Sequence, residues 1–314
     1  MKNLKYNPTD SSYERGFWNA LRKQTAIVTE HPQAKAPMTN AYILPNVQAG
    51  EYLAELEKEN FFRRLGTVVP MYHNDYAVST IATDAGAQWI AEGEQIPEDE
   101  EVLNTYRFET HKLSSIAKIP INLLEDEGFG FEEWILKRFS HRFARAEAKA
   151  FLTGTGEGEP LGILADQGGA EVGVTTAGAD ITFDKVMALF HSLDPRFREK
   201  AVWVMNDATA LALRSVKDAE GNLLWAPSAE KLLGKTVIIC NEMPDIGSGN
   251  KPIAFGDFSY YWIMERVPFA IRPLTEKYMM SQYRGYVGYE HLDGKLIRPE
   301  AIKVIKINQS ETVA

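Results

Sequence analysis

Six residues that are basic or can become so recur at helical spacing between positions 137 and 149, in a chain whose net charge is −9. Lys137, His141, Arg145 and Lys149 are four apart, and Arg138 and Arg142 lie beside them, so the set shares one side of a helix. Such a row could meet phosphate or an acidic neighbour; a solvated face with Glu133 pairing Lys137 is the plainer alternative. The opposite charge gathers upstream. Leu65 to Tyr106 contains no Lys or Arg but eight Asp/Glu, six of them being Glu92, Glu94, Glu98, Asp99, Glu100 and Glu101. Other chemically suggestive patterns fail on context. Gly154-Thr155-Gly156-Glu157-Gly158 looks like a nucleotide loop, yet it follows a helix and leads to a strand, the reverse of a dinucleotide fingerprint. Glu157 and Glu159 would also repel phosphate. Gly234-Lys235-Thr236 imitates the end of a phosphate loop, but Ala229 stands where its first glycine belongs. The six histidines (His31, His73, His111, His141, His191, His291) show no metal-ligand spacing. Cys240, the only cysteine, lies in the apolar run Val237–Cys240, which points to an inert, packed thiol. No motif supports catalysis, a cofactor or a metal.

The element carrying the basic row must be long. Ile135, Phe139, Phe143, Ala146 and Ala150 recur at spacings of three and four, which predicts a helix from Phe131 to Leu152 with these residues on its buried face. It would be about 33 Å long at 1.5 Å per residue. Glu132 and Glu133 in its first turn, and Arg145 and Lys149 near its end, complement the macrodipole. Gly154 is expected in the left-handed conformation that closes a helix. Gly154, Gly156, Gly158 and Pro160 then form a structural turn.

With 45% hydrophobic and 25% charged residues, the chain has the composition of a soluble globular protein. The acidic balance argues against a general nucleic-acid binder. A single cysteine rules out an internal disulfide and suits a reducing compartment. No run approaches a membrane span, so no membrane partner is expected.

Taken in order, residues 1–40 read as an arm. Ser11 and Glu14 match a capping box, and Tyr13, Phe17 and Trp18 offer apolar area with no obvious intrachain partner. Either a mobile tail or an arm docked on another subunit fits. A short strand, Tyr42–Pro45, precedes a helix around Ala49–Phe62. The acidic segment reads as a projecting hairpin, with strands at Tyr76–Ile81 and Thr105–Leu113; Trp89 and Ile90 would be half exposed unless it lies on a partner surface. Ser114–Asn122 is a further strand. After Val172 helices and strands interleave: helices at Phe183–Leu193, capped by Thr182, and at Ala208–Val216, capped by Asp207. Strands follow at Ala201–Met205, Thr236–Cys240, Ala254–Gly256, Tyr260–Glu265 and Phe269–Pro273. Ala301–Ile307 is expected to return to the first domain.

Several of these runs carry a resemblance. AKAFLTGTGEGEPLGIL (Ala148–Leu164), IPINLLEDE (Ile119–Glu127), AQWIAEGEQIPE (Ala87–Glu98), SSYERGFWNALR (Ser11–Arg22), AVWVMND (Ala201–Asp207) and RPEAIKVIKI (Arg298–Ile307) occur in an order that resembles the major capsid proteins of tailed bacteriophages. The resemblance covers nearly the whole chain. It implies the α+β Hong Kong 97-type capsid fold: an N-terminal arm (1–40), an extended hairpin loop (70–112), a peripheral domain (41–69, 113–175 and 290–314) with a spine helix at 130–153, and an axial domain (176–289).

The function so implied is self-assembly into hexamers and pentamers of an icosahedral shell around double-stranded DNA, built in the bacterial host cytoplasm. A separate scaffolding protein and a portal would be its partners. Inter-subunit contacts are expected from Tyr13, Phe17, Trp18, Trp89, Glu92, Glu94, Glu98, Asp99, Glu100 and Glu101. The basic spine face of Lys137, Arg138, Arg142, Arg145 and Lys149 would meet a neighbour or DNA. Relatives that cross-link use a hairpin lysine and an asparagine acceptor. Gly93 and Gln282 stand at about those positions here, so no covalent ladder is expected from mature shells on a reduced, boiled gel. An encapsulin-like nanocompartment shares the fold and would be told apart by cargo enzymes. A soluble enzyme of unrecognised mechanism would present a monomer with a deep polar pocket.

Overall fold

The computed structural model describes residues 11–23, 42–73, 75–81, 89, 103–126, 128–177, 181–217, 223–225, 229–274 and 276–308. The elements run α1 (Ser11–Lys23), β1 (Tyr42–Ile43), α2 (Asn46–Glu59), α3 (Phe61–Leu65), β2 (Thr67–Pro70), β3 (Asp75–Ile81), β4 (Leu103–Glu109), β5 (His111–Pro120), α4 (Ile121–Glu125), α5 (Phe131–Thr153) and β6 (Glu171–Ala177). Then come α6 (Phe183–Ser192), α7 (Pro195–Arg198), β7 (Val202–Met205), α8 (Asp207–Arg214), β8 (Lys231–Leu232), β9 (Lys235–Ile239), β10 (Ile253–Gly256), β11 (Tyr261–Leu274), β12 (Tyr283–Leu296) and β13 (Ile302–Asn308).

The strands divide into two sheets and a ribbon. One sheet has the order β1-β11-β12-β5, with β2 added parallel to β11; the other has the order β6-β13-β10-β7-β9-β8; among the described residues β3 and β4 pair only with each other. The expected spine helix is α5, 23 residues long. Its buried face is Phe131, Ile135, Phe139, Phe143, Glu147 and Phe151 with their neighbours. Ala146 and Ala150 are only half-buried, a correction to the expected stripe. Over this length the 3.6-residue period carries the buried line away from them and onto Glu147, Ala148 and Phe151. Phe139 and Phe143 pack against Phe269 of β11, with ring centroids 5.2 and 5.4 Å apart.

Strand pairing redistributes the expected domains. β13 pairs antiparallel with β10 and parallel with β6, whose residues 171–175 lie in the expected 113–175 piece of the first domain, so it joins that piece to strands of the expected axial unit in one sheet. Conversely β11 and β12, most of which fell within the expected 176–289 unit, pair with each other and with β1 and β5 of the first sheet. The two expected pieces Tyr260–Glu265 and Phe269–Pro273 are one strand. The interruption between them is where β11 shifts register, at Glu265/Val267 and Val267/Ala270.

β12 was not anticipated at all, because YRGYVGYEHLDGKL reads as a polar, glycine-rich loop. Its glycines are sites of close approach: a Cβ on Gly288 would lie 2.6 Å from a Phe269 ring carbon and 2.9 Å from one of Phe139. Two caps also differ. Asn206, not Asp207, caps α8 by accepting from the Thr209 N–H at 2.7 Å, and the Thr182 side chain makes no capping bond to α6.

Candidate assembly surfaces

α1 does not wait for another subunit. Tyr13, Phe17 and Trp18 are buried within their own chain, together with Leu21. The Tyr13 hydroxyl donates to the Ile43 carbonyl at 2.7 Å, the Tyr286 hydroxyl donates to the Leu21 carbonyl at 2.8 Å, and Trp18 meets the Phe131 ring edge-on at 6.2 Å. The expectation that these three residues lack an intrachain partner is therefore corrected. Burial of each is worth about 1.5–3 kcal/mol, enough to hold a 13-residue helix against the first core. Their cover comes from β1 at Ile43 and α5 at Phe131, with Tyr286 of β12 holding the end of the helix at Leu21.

The hairpin shows the opposite behaviour. β3 and β4 pair from Asp75↔Glu109 at the root to Ile81↔Leu103. Along β4 only Phe108 is buried, against Met71, Met264 and Ile297. A two-stranded ribbon with solvent on both faces is marginal in water. Trp89, beyond the end of β3, is fully exposed. Glu92, Glu94, Glu98, Asp99, Glu100 and Glu101 lie outside the described residues.

The root is fixed by β12. Asp293, fully buried, accepts from the Glu109 N–H at 3.0 Å and the Gly294 N–H at 2.7 Å, and the Lys295 ammonium donates to the Arg107 carbonyl at 2.6 Å. Burial raises the Asp293 carboxyl above the ordinary range, and Lys295 only partly offsets this.

The basic row of α5 is mostly spoken for within the chain. Lys137 pairs with Glu133 at 2.6 Å, His141 with Glu59 at 2.5 Å and Arg145 with Glu242 at 3.2 Å. Arg142 donates to the Ile116 carbonyl at 2.7 Å and the Ser115 hydroxyl at 3.2 Å, while Arg138 stands 5.9 Å from the Trp134 ring centroid. Lys149 is exposed and pairs with no carboxylate among the described residues. The row is thus a set of intrachain clamps with one cation left over.

The glycine turn is structural, but not by the expected conformation. Gly154 is extended (φ −62°, ψ 149°), and a Cβ there would lie 2.2 Å from the Pro160 carbonyl oxygen and 2.5 Å from that of Ala150. Close backbone approach therefore selects glycine at 154, whereas Gly156 (φ +83°) and Gly158 (φ +73°) take the left-handed turns. Glu159 accepts from the Thr155 N–H at 3.1 Å, so one of the acids faces the loop's own donor.

What the sequence did not reveal is a charge network in the first sheet's core. Arg63 donates twice to Glu147, from Nε at 2.9 Å and Nη2 at 2.5 Å, and from Nη1 to Glu265 at 3.0 Å. Asn60 closes α2, accepts from the Phe62 N–H and donates to Glu147 at 3.0 Å. Burial works against the Arg63 charge, yet Glu147 and Glu265 together hold it more firmly protonated than a free arginine.

Glu290, on β12, accepts a hydrogen bond from the Tyr52 hydroxyl at 2.5 Å. Burial first, and then the nearby Glu147 carboxylate, push its pKa well above the ordinary range. One signal was available: Glu147 continues the four-residue line of Phe139, Phe143 and Phe151, an acid where a core residue belongs. Among the described residues no three His, Cys, Asp or Glu are grouped to hold a metal ion, and no helix is long and apolar enough to cross a membrane.

Known proteins share this architecture. A family model described as the phage capsid family matches residues 40–307. The probable major capsid protein gp17 of Mycobacterium phage D29 is 25% identical over 210 residues, a match spanning 65% of this chain and 65% of that protein's length. The capsid of an empty GTA particle superposes with a TM-score of 0.70 at 32% identity, covering 80% of this chain and 90% of that one. The capsid of the native GTA particle gives 0.68 at 28%, covering 92% and 99%. Gordonia phage Cozz, at 15% identity and a TM-score of 0.59 over 80% of this chain and 87% of that one, shows the fold alone. With the family model covering most of the sequence, the chain belongs to the phage capsid family: it is a structural protein of α+β Hong Kong 97-type fold, not an enzyme.

Proposed function

We propose that this chain is the major shell subunit of a tailed-phage or prophage particle, associating with itself into hexamers and pentamers that close around double-stranded DNA. The observation that carries the reading is the β3–β4 ribbon. It is anchored at one end by Asp293 and Lys295 and exposed along its length, and Trp89, which falls in sequence between its two strands, is fully exposed. A monomer gains nothing from such a projection, whereas a closed lattice uses it to cover a neighbour. Large obligate interfaces of this kind are more apolar than transient ones. A scaffolding protein and a portal belong to the same proposal, with assembly in the host cytoplasm and the virion as destination.

Negative-stain microscopy of the purified protein tests it. Uniform hollow shells or hexameric capsomers are the expected result; a monodisperse monomer at all concentrations refutes it. The acidic hairpin is part of the reading. Reversing Glu98, Asp99, Glu100 and Glu101 to lysine should abolish shells and leave the subunit's thermal unfolding unchanged. Normal particles from that variant would remove the acidic segment from the assembly mechanism.

A further inference from the structure

Where α2 packs on α5, a cleft of about 480 Å³ is lined by Gln48, Glu51 and Glu55 of one helix and by Glu132, Glu133, Leu136 and Lys137 of the other. The α2 residues recur at spacings of three and four, so they share one face of that helix. Four carboxylates thus line one cleft with a single cation among them. Two are neutralised locally, Glu133 by Lys137 at 2.6 Å and Glu55 by Lys58 at 2.5 Å. Glu51 and Glu132 have no ion pair among the described residues. Glu14 of α1 adds a third carboxylate, reached through Gln48, whose Nε2 donates to Glu14 Oε1 at 2.5 Å. Burial raises the Glu132 carboxyl above the ordinary range; Arg22 offsets part of this, and Glu14 and Glu51 raise it further. Acids from three helices therefore feel one another at this place.

One acceptor in the lining is also unsatisfied. Gln48 is 8% exposed, its amide nitrogen is committed to Glu14, and its Oε1 is buried with no hydrogen-bond partner. An ionised carboxylate only accepts, so the amide cannot turn round to satisfy its oxygen at Glu14. Buried acceptors left without a donor are rare in folded chains.

We propose that this cleft binds a small aliphatic di- or polyamine, whose ammonium groups bridge Glu14, Glu51 and Glu132 and supply the N–H donor that Gln48 Oε1 lacks. Three features select an organic cation over a bare metal ion. Among the described residues no three acids are grouped closely enough to hold a metal, whereas an alkyl chain spans carboxylates that stand apart. Leu136, buried in the wall, offers apolar surface to the methylenes, much as it would to a lysine stem. An ammonium carries N–H donors and no acceptor, which matches a lining made mostly of acceptors. The bound cation ties α1 to α2 and α5, because each helix contributes one of the three acids.

Calorimetric titration of the unassembled subunit at constant ionic strength tests the assignment. Putrescine or spermidine should bind saturably, with a dissociation constant of about 1 mM or below. Glu51→Gln combined with Glu132→Gln should weaken that binding about tenfold or more, and Gln48→Met should weaken it in the same direction. Glu157→Gln, exposed at the glycine turn, should leave it unchanged. In the absence of ligand the double variant should unfold at or above the wild-type temperature, since it loses like-charge repulsion and no partner. If Mg²⁺ at the same ionic strength binds as tightly as spermidine and displaces it, the cleft takes any counter-ion and the polyamine assignment is overturned. No saturable binding, or equal binding by the wild type and the double variant, overturns the cleft itself.

Discussion

Replacing Arg63 with leucine removes a guanidinium whose side chain is 2% exposed and whose partner, Glu147, is fully buried. Three hydrogen bonds go with it, two to Glu147 and one to Glu265. The leucine fills part of the space, so the loss is dominated by the orphaned carboxylate. Glu265 is 19% exposed and can recruit water; Glu147 cannot. Glu147 is then left as a buried charge with no cation to compensate it, and removing one member of a buried ion pair in this way costs about 3–5 kcal/mol.

Chemical denaturation of the unassembled subunit is the assay. Arg63→Leu should lose about 3–5 kcal/mol at pH 7. Adding Glu147→Gln should restore most of the stability, because a neutral amide needs no cation. A loss below ~1 kcal/mol, or no recovery on adding Glu147→Gln, would refute the account of Arg63 as the counter-charge of this core.

Glu290 gives a pH test with a defined sign. Its folded pKa is raised by burial and by Glu147, so the fold holds a proton that the unfolded chain releases. Its stabilising contribution is complete below about pH 4.3 and is lost as pH rises toward the folded value. Glu290→Gln should therefore be more stable than wild type at pH 8, with the gap closing near pH 4; parallel denaturation midpoints across that range would contradict a protonated Glu290. At the glycine turn, Gly154→Ala drives a Cβ into two backbone carbonyls and should cost about 3 kcal/mol or more. Gly158→Ala meets open space and suffers only its left-handed φ, about 1 kcal/mol. Equal losses in guanidinium denaturation would mean the close approach at 154 is not what selects glycine there.

The spine helix was readable because its phenylalanines repeat faithfully at helical spacing and nothing interrupts them. The hairpin was readable from the same kind of local signal, strand residues around an acidic stretch that cannot bury itself. β12 was not, since Gly288 and Gly294 look like loop residues until the Phe139, Phe269 and Tyr261 rings that press on them are in place. The misassigned arm has a different cause. Tyr13, Phe17 and Trp18 were left without a partner because Ile43 and Phe131, which meet α1, lie about 30 and 110 residues further along the chain and no spacing rule connects them. The basic row was legible as a helical face, but its partners Glu59, Ser115, Ile116 and Glu242 come from distant segments that no spacing rule connects. Pairing of β13 with β6 and β10 was equally hidden, because alternation in AIKVIKI specifies a strand and not its neighbours.

That pairing has a consequence for the order in which the subunit can be made. In the second sheet β13 lies between β6 and β10, so neither acquires its inner neighbour until residues 302–308 have left the ribosome. β6 is finished more than a hundred residues earlier and must wait with an open edge. Closure of such long-range pairings is slow, and open edges invite wrong partners. The arrangement also works as a completeness check. A chain stalled before Ile302 retains the spine helix and the hairpin but has β6 cut off from the other four strands of its sheet, so a partly translated subunit is unfit to join a lattice that one defective tile could spoil.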